Sequence, residues 1–403
     1  MSYRLAVLAA GTAAATGNAV FGMGLPVLVP ELREEYALSL GQVGVLLAAS
    51  WIGTTVTLLP WGLAADRWGE RLVLTVGLLG SAAALASAAY APGFPTLLLA
   101  LGCAGAAGAA VNSASGRAIM RWFGPHERGL ALGVRQTAIP LGGLLAAVTL
   151  PALAARGGSE AAFLFLAALA SAGALTGAVV LRRRETEDGI PAASVVRTIA
   201  DAKLWRLSLA SALYLYAQVA VVGFGVLFLV DEHDLSAQAA ALVFGGGQVV
   251  AMALRLGVGR WSDLLAARVV PLRRVGVAVA GALLVTALLA RGPLVLLVPV
   301  LILASGLSMA WNGVSFTAAA ELAGPVRSGA AIGVQQTILF VGGVAAPVAF
   351  AASVARASWT AAFVVAALVP VLGWRMLGSL DERRHTGGSM RERLRSRRRR
   401  TSA

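Results

Sequence analysis

The chain has 403 residues, 58% of them hydrophobic and only 13% charged, with mean hydropathy +0.79 and a formal net charge of +14. Soluble chains of this size carry about a quarter charged residues, so that class is excluded. The positive charge is almost all arginine and sits in short connections and a tail, which removes the argument for a nucleic-acid partner. In chain order, apolar runs fall near 5–30, 41–64, 72–91, 95–118, 129–155, 161–181, 204–230, 236–258, 273–290, 293–318, 329–355 and 359–379. Each is long enough for a helix through a hydrocarbon layer of about 30 Å, which predicts an all-α polytopic membrane protein with twelve transmembrane helices. The first run begins like a signal peptide, with Arg4 and an Ala-x-Ala stretch, but it continues to Pro30 and is read as a retained span. The faintest boundary is Arg291–Gly292–Pro293.

Every second connection is basic: Arg67 and Arg71; Arg121 and Arg128; Arg182, Arg183 and Arg184; Arg260, Arg268, Arg273 and Arg274; Arg327. The alternate connections carry one arginine each, Arg33, Arg156, Arg291 and Arg356. Positive loops stay inside, so both termini are expected in the cytoplasm and the protein in the cytoplasmic (inner) membrane. The expected parts are a first six-helix half (1–181), a cytoplasmic linker (182–203), a second half (204–380) and a basic tail (381–403). The tail RERLRSRRRR is expected to enforce the inside topology and touch anionic lipid; nucleic-acid binding and a merely solvated tail are the alternatives.

GVRQT at 133–137 returns as GVQQT at 333–337. The same spacing of 200 relates Asn112 to Asn312, Gly129 to Gly329, and Gly142–Gly143 to Gly342–Gly343. Earlier in each half the spacing is 197, relating Leu38–Ser39 to Leu235–Ser236 and Asp66 to Asp263. The three-residue drift predicts a longer loop after the eighth span. A tandem duplication of six helices explains the echoes, and two such halves about an axis along the membrane normal form a carrier architecture.

GLAADRWGER, from Gly62 to Arg71, lies between the second and third spans, and GVGRWSD, from Gly257 to Asp263, is its weaker echo. With twelve spans and a central linker, the chain resembles the major facilitator superfamily over its whole length. That resemblance implies a monomeric, alternating-access secondary transporter of a small solute, with no cofactor and with an accompanying ion left open. It also implies that Gly62, Asp66, Arg67, Gly69 and Arg71, and Gly259 and Asp263 opposite, form latches. Asp66 would meet the start of the eleventh span at Gly329, and Asp263 the start of the fifth at Gly129, when the pocket faces outward. Otherwise Asp66 pairs locally with Arg67 or Arg71 and sets topology. Pro140, Gly142, Gly143, Gly342 and Gly343 are expected to bend their helices, as moving joints or as static kinks. Two features depart from the family: Ala100 and Leu101 stand where many members have an arginine, and Ile139 precedes Pro140 where the antiporter pattern has glycine. Both argue against proton–drug antiport.

Polar residues inside apolar spans are costly and face a cavity or each other. Asn18, Asn112, Arg135, Gln136, Gln218, Asn312, Gln335 and Gln336 are the expected cavity residues. Arg135 lies about 9 Å into its helix at 1.5 Å per residue. It either projects inward as an anion anchor or snorkels back to the interface. No Asp or Glu falls mid-span, so a cationic substrate has no counter-charge. Cys103 has no partner for a disulfide, His126, His233 and His385 fall outside the spans, and no catalytic set or metal-ligand cluster is apparent. The expectation is a transporter of a small organic anion; export of neutral or amphipathic compounds and a non-transporting sensor or scaffold are the alternatives.

Overall fold

The computed structural model describes residues 3–123, 128–181, 197–324 and 327–380. His126, His385, the tail and most of the linker (182–196) lie outside the described residues. The first four spans are the helices Tyr3–Glu35, Leu40–Trp68, Glu70–Ala89 and Phe94–Trp122. Span 5 opens as Arg128–Gln136 and passes Thr137 into Ala138–Val180, which also contains span 6. Gly157 and Gly158 break that long helix, Gly158 with φ 64°, a backbone conformation favouring glycine. Span 7 runs through Ala202–Gln218, a π-helical turn Val219–Gly223, and Phe224–His233. Spans 8 and 9 are Ala237–Leu264 and Val269–Leu288. Span 10 is split into Leu294–Met309 and Asn312–Ala323, and Ser328–Arg356 and Trp359–Leu377 complete the bundle. Among the described residues eleven helical stretches are long and apolar enough to cross a membrane. One of them, Gly133–Val180, has 48 residues and holds two passes, giving twelve.

The repeat has a local meaning. Ser39 and Ser236, 197 apart, cap spans 2 and 8, accepting from the backbone N–H of Gln42 and Ala239. Such a cap supplies one of the acceptors that a helix start lacks. One residue, Gly69, joins span 2 to span 3, whereas four, Leu265 to Arg268, join span 8 to span 9. The three-residue difference accounts for the drift from 197 to 200. Gly69 has φ 83°, which permits so short a turn.

Within the first half, spans 2 and 4 approach closely enough for backbone contact. A Cβ on Gly53 would collide with the Gly102 carbonyl, and one on Gly105 with that of Ser50. The Thr54 and Thr57 hydroxyls bond across this seam to the carbonyls of Gly105 (3.1 Å) and Ala106 (2.7 Å). Small residues and short hydroxyls are how helices associate where lipid offers no hydrophobic drive.

The two halves join towards the end that carries Arg33 and Asp231, here called the far end; the opposite end carries the Gly62–Arg71 turn. At the far end Arg33 Nη1 pairs with Asp231 Oδ2 at 2.5 Å. Gly44 of span 2 sits against Pro347 and Ala351 of span 11, and Gly245 of span 8 against Ala147 and Leu144 of span 5. Towards the motif end Gly62, Gly133, Gly259 and Gly333 have no heavy atom within 4 Å of where a Cβ would lie. The glycine-to-helix approaches between the halves named here thus lie towards the far end.

Candidate substrate site

Span 4 places Asn112 and Ser115 three residues apart, hence on one helix face. Arg135, in the last turn before Thr137, donates from Nε to Ser115 Oγ (2.7 Å) and from Nη2 to Asn112 Oδ1 (3.4 Å). Ser115 can accept because its own hydrogen goes to the Val111 carbonyl at 2.5 Å. The guanidinium is thus turned against span 4, inside its half. Arg135 remains only partly buried.

Two hundred residues on, Gln335 repeats this arrangement without charge. Its Nε2 donates to Ser315 Oγ (2.7 Å), which shares a 2.6 Å hydrogen bond with Ser211 Oγ. Gln335 is fully buried and faces those serines. Asn312 Nδ2 donates to Gln218 Oε1 (3.2 Å) and to the Met309 carbonyl (3.1 Å). The π-turn begins directly after Gln218; such turns recur where a helix has been adapted for function. Asn18 lies against span 4, its Oδ1 2.5 Å from where a Cβ on Gly108 would be. Gln136 and Gln336 are half-buried. Asn112 and Arg135 thus meet directly, as do Gln218 and Asn312, while no bond joins one pair to the other among the described residues.

Three serines and one arginine escaped the sequence reading. Ser115, Ser315 and Ser211 pass for packing residues in an apolar helix. Arg255 stands within the apolar run of span 8. Its acceptors explain it. Proline has no N–H, so Pro140 leaves the carbonyl of Gln136 without its helical donor. The break at Ala310–Trp311 likewise ends the first helix of span 10 at Met309. Arg255 reaches both, donating from Nη1 to the Gln136 carbonyl and from Nε to the Met309 carbonyl, each at 3.1 Å. One side chain thereby ties a helix break in each half together.

The paired glycines are contact seats. A Cβ on Gly142 would lie 2.6 Å from Ala19 of span 1, and one on Gly342 3.2 Å from Ala212 of span 7, each within its own half. The second glycine of each pair takes a side chain from the other half. Gly143 lies under Gln248 and Gly343 under Trp51, with a Cβ predicted 2.8 and 2.5 Å away respectively. Trp51 and Gln248 are themselves 197 apart, so the seats are related by the repeat. The helices run unbroken through all four glycines; the interruption in span 5 is at Thr137, three residues before Pro140.

At the motif end Asp66 lies in the last turn of span 2 and Gly129 in the first turn of span 5, while Gly329 is exposed. Arg67 and Arg71 are exposed, Arg67 over the Trp68 ring at 5.7 Å. Asp263 Oδ1 accepts from Arg268 Nη1 (2.6 Å), and Arg268 also grips both carboxylate oxygens of Glu321 in span 10. These bonds, that to Glu321 foremost, hold the Arg268 pKa above its ordinary value. Asp263 is therefore engaged by its own half. Two side grooves of about 740 and 680 Å³, one between spans 2 and 4 and one among spans 1, 5 and 6, have apolar walls in which Arg67 is the single charged residue.

Twelve apolar passes in two like halves, each with paired polar side chains inside it, are the architecture of a membrane carrier. The comparisons agree: the chain belongs to the Major Facilitator Superfamily, whose family model matches residues 7–347. It is 32% identical over 375 residues to an uncharacterised MFS-type transporter of Mycobacterium tuberculosis, covering 91% of this chain and 83% of that protein. Shorter likenesses reach the hexuronate transporter of Bacillus subtilis (27% over 121 residues, 30% of this chain and 29% of that protein). They also reach the probable L-galactonate transporter of Escherichia coli (32% over 124 residues, 31% and 27%). Among solved structures, a bacterial homolog of the human lysosomal transporter Spinster, inward-facing and occupied, superposes with TM-score 0.79 at 17% identity over 94% of this chain and 96% of that one. A nucleoside transporter gives 0.75 at 13% over 94% and 99%. These structures share the fold.

Proposed function

We propose that this transporter carries a small organic anion of the sugar-acid class by alternating access. The observation that carries this reading is Arg135, a guanidinium turned into the bundle and hydrogen-bonded only to neutral groups, Ser115 and Asn112, among the described residues. Such a group offers a planar fork for a carboxylate. Asn112, Asn18, Gln136 and Gln336 offer amides suited to hydroxyls beside it. The names of two partial relatives, hexuronate and L-galactonate transporters, support a carboxylate on a polyhydroxylated chain.

In this reading the motif end is cytoplasmic, because the basic connections lie there. The cleft then faces inward, the linker and both termini are cytoplasmic, and the protein acts as a monomer in the inner membrane. Asp66 and Asp263 would meet the opposing helix starts, with their partial positive charge, once the cleft closes. A reporter active only outside the cytoplasm should work when fused after Glu34 or Glu232 and be silent after Arg184 or at the tail. The reverse pattern would overturn both orientation and latches.

The substrate class is tested with the full chain purified into liposomes, using labelled D-glucuronate and D-galactonate with neutral D-glucose as control, with and without a pH gradient. Uptake of a sugar acid well above that of glucose is expected. Equal handling of charged and neutral sugars would sink the anion reading.

A further inference from the structure

Arg255 has a second feature beyond joining the two halves. Both of its acceptors are uncharged backbone carbonyls, and both are carbonyls that a helix irregularity set free. A guanidinium has five N–H donors and keeps its proton. Its bonds to the carbonyls are charged on the donor side alone, whereas a carboxylate brings a charge of its own and can take two of those donors at once in a bidentate pair. Gln136, whose carbonyl Arg255 holds, directly follows Arg135, so the turn of span 5 that Arg255 holds is the one from which Arg135 reaches span 4. Arg255 is only partly buried, which leaves an approach open.

We infer that Arg255 is a second anion-binding residue, resting on the organic-anion reading above, and that in the empty carrier it straps span 5 to spans 8 and 10. The substrate's carboxylate competes with the Gln136 carbonyl for the guanidinium. When the anion wins, the cross-half bond is lost and the halves are free to rock. Binding and release of the strap are thus one event, which gives the anion the differential affinity that any ligand-driven shift requires. Solutes without an anionic group leave the strap fastened.

The test uses the full chain in liposomes, with Cys103→Ala removing the sole native cysteine. Spin labels go on Val134→Cys and Leu256→Cys, which are 39% and 62% exposed on spans 5 and 8. Distances are measured by pulsed electron resonance with D-glucuronate, D-galactonate or D-glucose. A sugar acid should shift the distance distribution and glucose should not. Arg255→Gln should show the shifted distribution without ligand, no further response, and half-saturation for uptake raised by about tenfold or more. Arg255→Lys should respond partially, because ammonium cannot fork between two carbonyls. Should Arg255→Gln fail to insert, Pro140→Ala restores a helical donor to Gln136 while keeping the arginine, and the same ligand-free shift is expected. An Arg255→Gln protein that matches the parent in distances, response and affinity refutes the strap and leaves the anion reading intact. If the parent neither carries nor responds to any sugar acid, the anion reading fails and takes the strap with it.

Discussion

Arg135→Gln should weaken uptake of the anionic substrate roughly ten- to hundredfold while leaving the amount of protein in the membrane unchanged. The estimate follows from the about 1.5–3 kcal/mol carried by a hydrogen bond to a charged group, and each 1.4 kcal/mol is tenfold in affinity. Folding should survive because the second half already holds glutamine at the matching place, where Gln335 bonds to Ser315 as Arg135 does to Ser115. Arg135→Lys should recover part of the loss, since it restores charge without the planar fork. Half-saturation for uptake and membrane expression, measured for both variants, decide the matter. Unaltered anion affinity in a well-expressed Arg135→Gln protein would retire Arg135 as the anchor.

Gly343→Leu should insert normally yet lose more than tenfold in transport rate. A Cβ there would lie 2.5 Å from the Trp51 ring, and that ring is itself packed on Phe340 with centroids 5.6 Å apart, so it has little room to yield. Overpacking of this kind costs typically 1–3 kcal/mol, which is roughly a five- to 150-fold bias between states. The affected contact is where the halves meet, so the far end should open. Adding Trp51→Ala should restore much of the activity. If the double variant is as slow as the single one, the glycine acts through the bending of its own helix and the seat is incidental.

Much of the architecture was legible before any coordinates. The echo of GVRQT in GVQQT and the change of spacing from 197 to 200 reported two copies and even the longer loop after span 8, later found as Leu265 to Arg268. Asn112 met Arg135 and Gln218 met Asn312, each pair within its own half, because unpaired polar groups in hydrocarbon must find partners. Other features left no signal. Ala310–Trp311 splits span 10 without any proline or glycine, and nothing in the composition marks the π-turn after Gln218. Arg255 was lost among the arginines flanking its span, since its meaning depends on Pro140, over a hundred residues earlier. The glycine pairs suggested bends, moving or static, while the side chains seated on them could not be read from the sequence. The Trp51–Gln248 relation was available from the spacing alone, but tryptophan and glutamine do not look like copies of each other.

That unlikeness has a thermodynamic consequence. Trp51 meets Gly343 through ring carbons, and its indole N–H is not among the groups left buried and unpartnered. Gln248 is fully buried with neither amide atom bonded to a described residue. A polar group left so costs about 1–3 kcal/mol. One flank of the bundle therefore bears a standing penalty in this conformation that its twin does not. Gln248→Leu or Gln248→Met, close to it in size but without the amide, would remove that burden and deepen this resting basin at the expense of its rival. A nearly symmetric scaffold thus carries an energetic tilt to which this amide contributes.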